Sequence, residues 1–366
     1  MGSPCRAWVL LVPGLLAAGC RAFPVGLYVP GRTLDALERS TYDEDAALES
    51  VVAELRERGV SHPAPAAGER EAWFRLDREP AMGPFEPRAA DRPGPLTAGL
   101  APGDLVLVKN PKAQSLATTL CFTEPVFYDH LGVLVLVHGR WQVIDSWPFF
   151  SPLGCAEDFA ARFRGGVRVT PLSGHLEHYE TLLFVRLGDA ERRAALAREA
   201  LAALDEGIEY DPHHDPEDPR LSCSEFVQEL LRRAGLPHPT VPRPVVDAGD
   251  LRELMGSLGF PTTGFLVPEQ FLELPGARPV AWLSRHPTVA GARAVEVAFA
   301  LLAARLRREG RVTDLLGIDR FRFLRYRRNV ARFLAWAEAL AEAEGWSDRE
   351  RLERELTTLE SRFFVR

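Results

Sequence analysis

Five short β-rich runs, at residues 104–108, 130–137, 141–146, 167–170 and 182–187, crowd one stretch of the chain, and helical periodicity flanks that stretch on both sides. Two of the runs are separated only by His138-Gly139-Arg140, a tight hairpin signal. The expected fold is therefore α+β, a small antiparallel sheet with helices packed on it and further helices from both ends. Helical patterns cover residues 43–58, with Leu48, Val51, Val52 and Leu55 on one face, and 189–204. Residues from 286 onward are mostly helical, and the last helix starts at a capping box, Ser347 with Glu350, followed by Leu352, Leu356, Leu359 and Phe363 on one face. Between 61 and 95, seven prolines argue for an extended linker without regular structure.

One further helix carries chemistry. Ser222 is a predicted N-cap and Glu225 its capping-box partner; Phe226, Val227, Leu230, Leu231 and Ala234 repeat with helical period, and Gly235 and Pro237 stop the run. Cys223 then falls at the first helical position, where unsatisfied N–H groups and the positive end of the helix dipole favour thiolate over thiol. A buried, inert cysteine fits the same heptapeptide.

Residues 1–19 read as a leader: Arg6, a short apolar stretch from Ala7, then Leu16-Ala17-Ala18-Gly19-Cys20. The ending resembles the lipobox of bacterial lipoproteins, which implies cleavage before Cys20 and lipid on its thiol, hence a membrane anchor in the cell envelope. Arg21, rather than aspartate, after Cys20 favours the outer membrane in a two-membrane cell. Of five cysteines, Cys121, Cys155 and Cys223 remain. In an oxidising compartment an odd set suggests Cys121 paired with Cys155 and Cys223 free, although two buried thiols read identically. A net charge of −7 excludes the basic footprint of a nucleic-acid binder.

A cysteine nucleophile needs a base, and the base needs an orienting group. His130 begins a strand. Asp145 lies on the partner strand, almost opposite Val133 if 138–140 is the turn, where a carboxylate could orient the imidazole Nδ1. Gly103-Asp104-Leu105-Val106, His130-Leu131-Gly132-Val133, Val143-Ile144-Asp145, Tyr210-Asp211 and Ser222-Cys223-Ser224-Glu225-Phe226-Val227, in that order, resemble the circularly permuted NlpC-type papain-like cysteine hydrolases, the YiiX/YebB-like group. In that group the histidine strand precedes the cysteine helix. Phe265-Leu266-Val267-Pro268-Glu269-Gln270 is similar to the group's closing strand and proline.

The resemblance implies Cys223 as nucleophile, His130 as general base and Asp145 as orienting residue, where many relatives have glutamate. It implies Tyr210 as a site-lining tyrosine assisting the oxyanion, and Asp104 as a turn residue. The implied organisation is a leader at 1–19, a helix and linker at 20–95, the hydrolase at 96–285 and a helical extension at 286–366. The implied activity is cleavage of amide bonds in cell-wall peptides through an acyl-thioester on Cys223. A lipid-directed acyltransferase of the lecithin:retinol acyltransferase type and a non-catalytic envelope binding protein are the alternatives.

Unpermuted pairings, Cys121 with His175 or Cys223 with His286, lack a helix start or a strand at the required place. No cofactor is expected. No metal is expected either: His213-His214-Asp215, with Glu217 and Asp218, lacks the i, i+4 spacing that aims two ligands at one ion, and His175 with His178 sits in a short segment.

Overall fold

A computed structural model describes residues 46–60, 72–110, 116, 122–124, 126–150, 163–211, 213–215, 217–245, 264–309, 311–318 and 324–364. Helix α1 (Ala46–Glu57) is followed by strands β1 (Trp73–Arg75), β2 (Met82–Phe85), β3 (Leu105–Lys109), β4 (His130–Val137), β5 (Arg140–Phe150) and β6 (Phe163–Pro171). Next come helix α2 (Leu172–His178), strand β7 (Thr181–Arg186), helices α3 (Ala190–Ala203) and α4 (Cys223–Arg233), and strand β8 (Arg278–Ser284). Helix α5 (Val289–Glu309), the ribbon β9 (Leu316–Ile318) and β10 (Leu324–Tyr326), and helices α6 (Arg328–Glu344) and α7 (Arg349–Phe363) complete the order.

The fold is α+β, and its sheet is larger than the sequence suggested. Eight strands run in the order β2-β1-β8-β7-β3-β4-β5-β6, each antiparallel to its neighbours. Two of them, β1 and β2, come from the proline-rich stretch expected to lack regular structure. Pro87 and Pro95 open the 3₁₀ helices Pro87–Asp91 and Pro95–Thr97, where no ladder N–H is needed, and Pro84 lies in β2, an edge strand. Residues 265–267 are not a strand of this sheet: Phe265 bridges only Arg243, and Pro268–Phe271 is a 3₁₀ turn.

The alternation of β3, β4 and β5 sorts side chains to two faces. Leu105, Leu107, Leu131, Val133, Val135 and Ile144 pack under α3 and α4, meeting Leu196, Ala200, Phe226, Val227, Leu230 and Leu231. Val106, Val108, Leu134, Trp141 and Val143 face the other way, against Leu172 and Leu176 of α2 and Tyr179. A third core joins α1, α5, α6 and α7, and it takes in Phe122 and Val126, which lie just before β4.

The β4–β5 hairpin turns on two residues, His138 and Gly139, both with positive φ (49° and 71°). Val137 pairs with Arg140 and Val133 with Ile144, so Asp145 stands across from Gly132 rather than Val133. That one-place change decides the face: Asp145 joins His130 on the α2 side. A Cβ at Gly132 would lie 2.6 Å from Val143 Cγ1 and 3.2 Å from Asp145 Cβ, so the second residue after His130 must be bare for the aspartate to fit.

Candidate active site

Helix α4 starts where its cap chemistry dictates. Ser222 Oγ accepts the Glu225 N–H at 3.5 Å, and Glu225 Oε2 accepts the Ser222 N–H at 2.9 Å. Cys223 is the first helical residue, buried and free of any disulfide.

The residues before it are tied to the sheet. Ser146 Oγ donates to Leu221 O at 2.7 Å, Leu221 N donates to Glu209 O, and Tyr210 N donates to Gly165 O at 3.0 Å. A Cβ on Gly166 would sit 2.2 Å from Ile208 O, so this strand can admit the Tyr210 segment only with glycine there. The Asp211 carboxylate accepts the His213 and Asp215 N–H groups and so shapes the loop between them.

Around Cys223 the expected residues converge. His130 lies close enough to the Cys223 sulfur to feel its charge, and its Nε2 is bonded to Asp145 Oδ2 at 2.7 Å. The carboxylate therefore holds Nε2, not the Nδ1 that the sequence reading assigned to it, and Nδ1 is the nitrogen left for sulfur. Trp147 meets the His130 ring edge-on at 4.9 Å and Tyr179 stacks beyond it at 6.1 Å. Half-buried Tyr210 feels the charge of Cys223.

Burial pulls the His130 pKa down, but the charge of the neighbouring Cys223 sulfur, with the Asp145 and Cys223 hydrogen bonds, outweighs it and raises it to about 10. Burial pushes Asp145 up, yet the hydrogen bonds from His130 and His175 hold it well below the usual carboxylate range. Tyr210 is raised well above an ordinary phenol, mainly by burial and then by Cys223.

Sequence reasoning missed the rest of the cage. His175 of α2 is buried, with Nε2 3.1 Å from the same Asp145 Oδ2, and Arg168 Nε donates to Oδ1 at 3.0 Å while its guanidinium lies over Trp147. Burial lowers the His175 pKa against the pull of Asp145. Arg168 alternates onto the Asp145 face of β6 and was legible in principle from strand parity. His175 had no such signal. The rejected pairing of Cys223 with His286 stays rejected, since His286 Nδ1 bonds Glu338 Oε1 at 2.6 Å.

His130, Asp145 and His175 also bring three metal-ligating atoms within 4.8 Å of one another. Protons suit this group better than a cation. Arg168 already neutralises the carboxylate, and His175 Nδ1, which a metal-bound imidazole would donate to an acceptor, has no hydrogen-bond partner among the described residues. Asp104 is structural: it accepts the Ala101 N–H at 2.8 Å and a two-point bond from Arg186. Half-buried His214 stacks on Phe265 with ring centroids 4.4 Å apart, and desolvation pushes its pKa down to about 4. A cavity of about 950 Å³ borders the start of α4, lined in part by Leu221, Glu225, Gln228 and Phe265. Cys20, Cys121 and Cys155 lie outside the described residues.

No family model matches the chain, and no curated protein does. Among solved structures, the metalloprotein yiiX from Escherichia coli O157:H7 is similar to it, at 21% identity and a TM-score of 0.39, over 50% of this chain and 97% of that one. A likeness at that score carries no argument, and the reading below rests on the geometry.

Proposed function

We propose that the protein is a cysteine hydrolase of the permuted papain-like type, cleaving amide bonds through an acyl-thioester on Cys223. The observation that carries this reading is a buried Cys223 at a helix N-terminus whose charge acts on His130, with the buried Asp145 carboxylate holding Nε2 of that imidazole at 2.7 Å.

In the cycle, the Cys223 thiolate attacks the amide carbonyl carbon. The developing oxyanion is met by the Cys223 N–H, which at the first helical position has no intrahelical acceptor, and by the Tyr210 hydroxyl. His130 gives its Nδ1 proton to the leaving amine as the C–N bond breaks. It then takes a proton from water as water attacks the thioester carbonyl, releasing the acid and regenerating thiolate and imidazolium. Asp145 stays ionised throughout, holding Nε2–H and with it the ring's orientation.

Cell-wall peptides are the proposed substrates, met by a protein anchored in the envelope through lipid on Cys20. The test is incubation of full-length protein with muropeptides and, separately, with phospholipid, followed by mass spectrometry of the Cys223 peptide. An acyl adduct from muropeptides, absent in Cys223→Ala, is expected. An adduct from phospholipid alone would transfer the reading to a lipid acyltransferase, and unchanged turnover in Cys223→Ala would end the catalytic reading.

A further inference from the structure

The residues leading into β4 are held by an acid from far along the chain. Glu269 Oε1 accepts the N–H groups of both Phe127 and Tyr128, the latter at 2.6 Å. Asp129 takes up the Asn110 N–H at 3.2 Å and donates its own N–H to Val108 O. His130 is the next residue, so these amides set the direction from which its imidazole projects.

Beneath them lies Lys109, with a completely buried side chain. Its Nζ stands 3.6 Å from the Phe299 ring centroid and 4.8 Å from that of Phe127, with no hydrogen-bond partner among the described residues. Glu269 Oε2 is likewise buried without a hydrogen bond. A buried carboxylate with one orphaned oxygen is costly, and as a packing element it would be inferior to an apolar side chain. The oxygen that is bonded serves only the backbone next to His130.

We propose that Glu269 is a positioning residue for His130: its carboxylate, with Lys109 as countercharge, fixes the 127–128 amides and so the angle at which β4 presents the imidazole between Asp145 and Cys223. This rests on the Cys223–His130 reading above. Charge matters to the clamp, because amide hydrogen bonds to an ionised acceptor are roughly twice as strong as those to a neutral one.

Burial raises the Glu269 pKa to about 7 against the amide bonds and Lys109. Burial lowers that of Lys109 to about 8 against Asp129, Glu180 and Glu269. The other groups facing this seam are Tyr128 before β4, His286 after β8, Glu296 on α5, Tyr326 on β10 and Glu338 on α6. Near pH 7.5 Glu269 and Lys109 are both charged and the clamp is strongest; below about 7 it is weakened.

The test needs no substrate. The second-order rate of Cys223 alkylation by iodoacetamide is measured from pH 5.5 to 9 in full-length wild type, Glu269→Gln, Glu269→Ala and the destabilised control Leu356→Ala. Wild-type reactivity should pass through an inflection near pH 7, where Glu269 ionises. Glu269→Gln should lose that inflection, and Glu269→Ala should react about tenfold more slowly at pH 7.5. The control should keep the wild-type profile despite a lower Tm. The proposal is overturned if both Glu269 variants superpose on wild type, or if the control reproduces their change. Should His130→Ala alkylate at the wild-type rate across the range, the Cys223–His130 pairing itself falls, and this inference with it.

Discussion

Replacing Asp145 with asparagine keeps the volume of the side chain and removes the charge on which the site converges. The carboxylate accepts from His130 Nε2 at 2.7 Å, His175 Nε2 at 3.1 Å and Arg168 Nε at 3.0 Å. A hydrogen bond to a charged group contributes about 1.5–3 kcal/mol. The Arg168 bond counts for less, because its side chain is 27% exposed and can turn to water. The two buried imidazole bonds dominate, and the asparagine amide would also point a donor at a donor.

A loss of about 3–5 kcal/mol of stability follows. The pH dependence separates this from simple mispacking. His130 has its folded pKa raised to about 10 from 6.5, so its contribution is complete below about 6.5 and is lost as pH rises through about 10. Removing Asp145 should lower that folded pKa, leaving the Cys223 charge as the remaining influence that raises it. Thermal unfolding followed by circular dichroism from pH 5 to 10.5 should show the wild-type advantage over Asp145→Asn shrinking across the alkaline half of the range. Iodoacetamide labelling of Cys223 at pH 7 should slow by about a hundredfold. Parallel Tm curves together with unchanged labelling would refute the claim that Asp145 sustains the imidazolium.

Gly166→Ala should push the Ile208–Tyr210 segment off β6, since the new Cβ would lie 2.2 Å from Ile208 O. Acyl-adduct formation, read by mass spectrometry, should fall while labelling of Cys223 by iodoacetamide persists. Gly132→Ala should cost about 1–3 kcal/mol by overpacking against Val143 and Asp145, measurable by urea unfolding, and should slow labelling as well. Lys109, with its folded pKa lowered to about 8 from 10.5, binds fewer protons folded than unfolded in that interval. The Lys109 contribution to stability should therefore rise by up to about 3 kcal/mol between pH 8 and 10.5, read in chemical denaturation as the difference between wild type and Lys109→Met, which removes the loss that His130 imposes on both.

Local signals carried the cysteine helix and the hairpin into view. A capping box, a helical repeat and a glycine stop are all short-range features, and each appears in α4 as expected. The same holds for Leu352, Leu356, Leu359 and Phe363 of α7, all buried, although Asp348 rather than Ser347 supplies the cap by accepting the Arg351 N–H. The hairpin was expected to turn on three residues; the left-handed backbone of both His138 and Gly139 makes a two-residue turn and moves the register by one. The eight-strand sheet was not legible, because β1 and β8 are partners more than two hundred residues apart and β8 buries mainly its last four residues. His175 escaped for a similar reason. Nothing beside it in sequence announces a carboxylate thirty residues upstream.

The placement of Phe122 and Val126 in the same core as α5, α6 and α7 bears on how the protein is born. During synthesis the histidine strand is made well before the helices that bury the segment leading into it, and Glu269 also arrives late. Contacts this distant in sequence form slowly, and a nascent chain lacks them altogether. The thiol of Cys223 is thus exposed to its environment before its imidazole partner is anchored. On the cysteine-hydrolase reading proposed above, the chain completes its site only once the late helices have closed over the segment leading into β4.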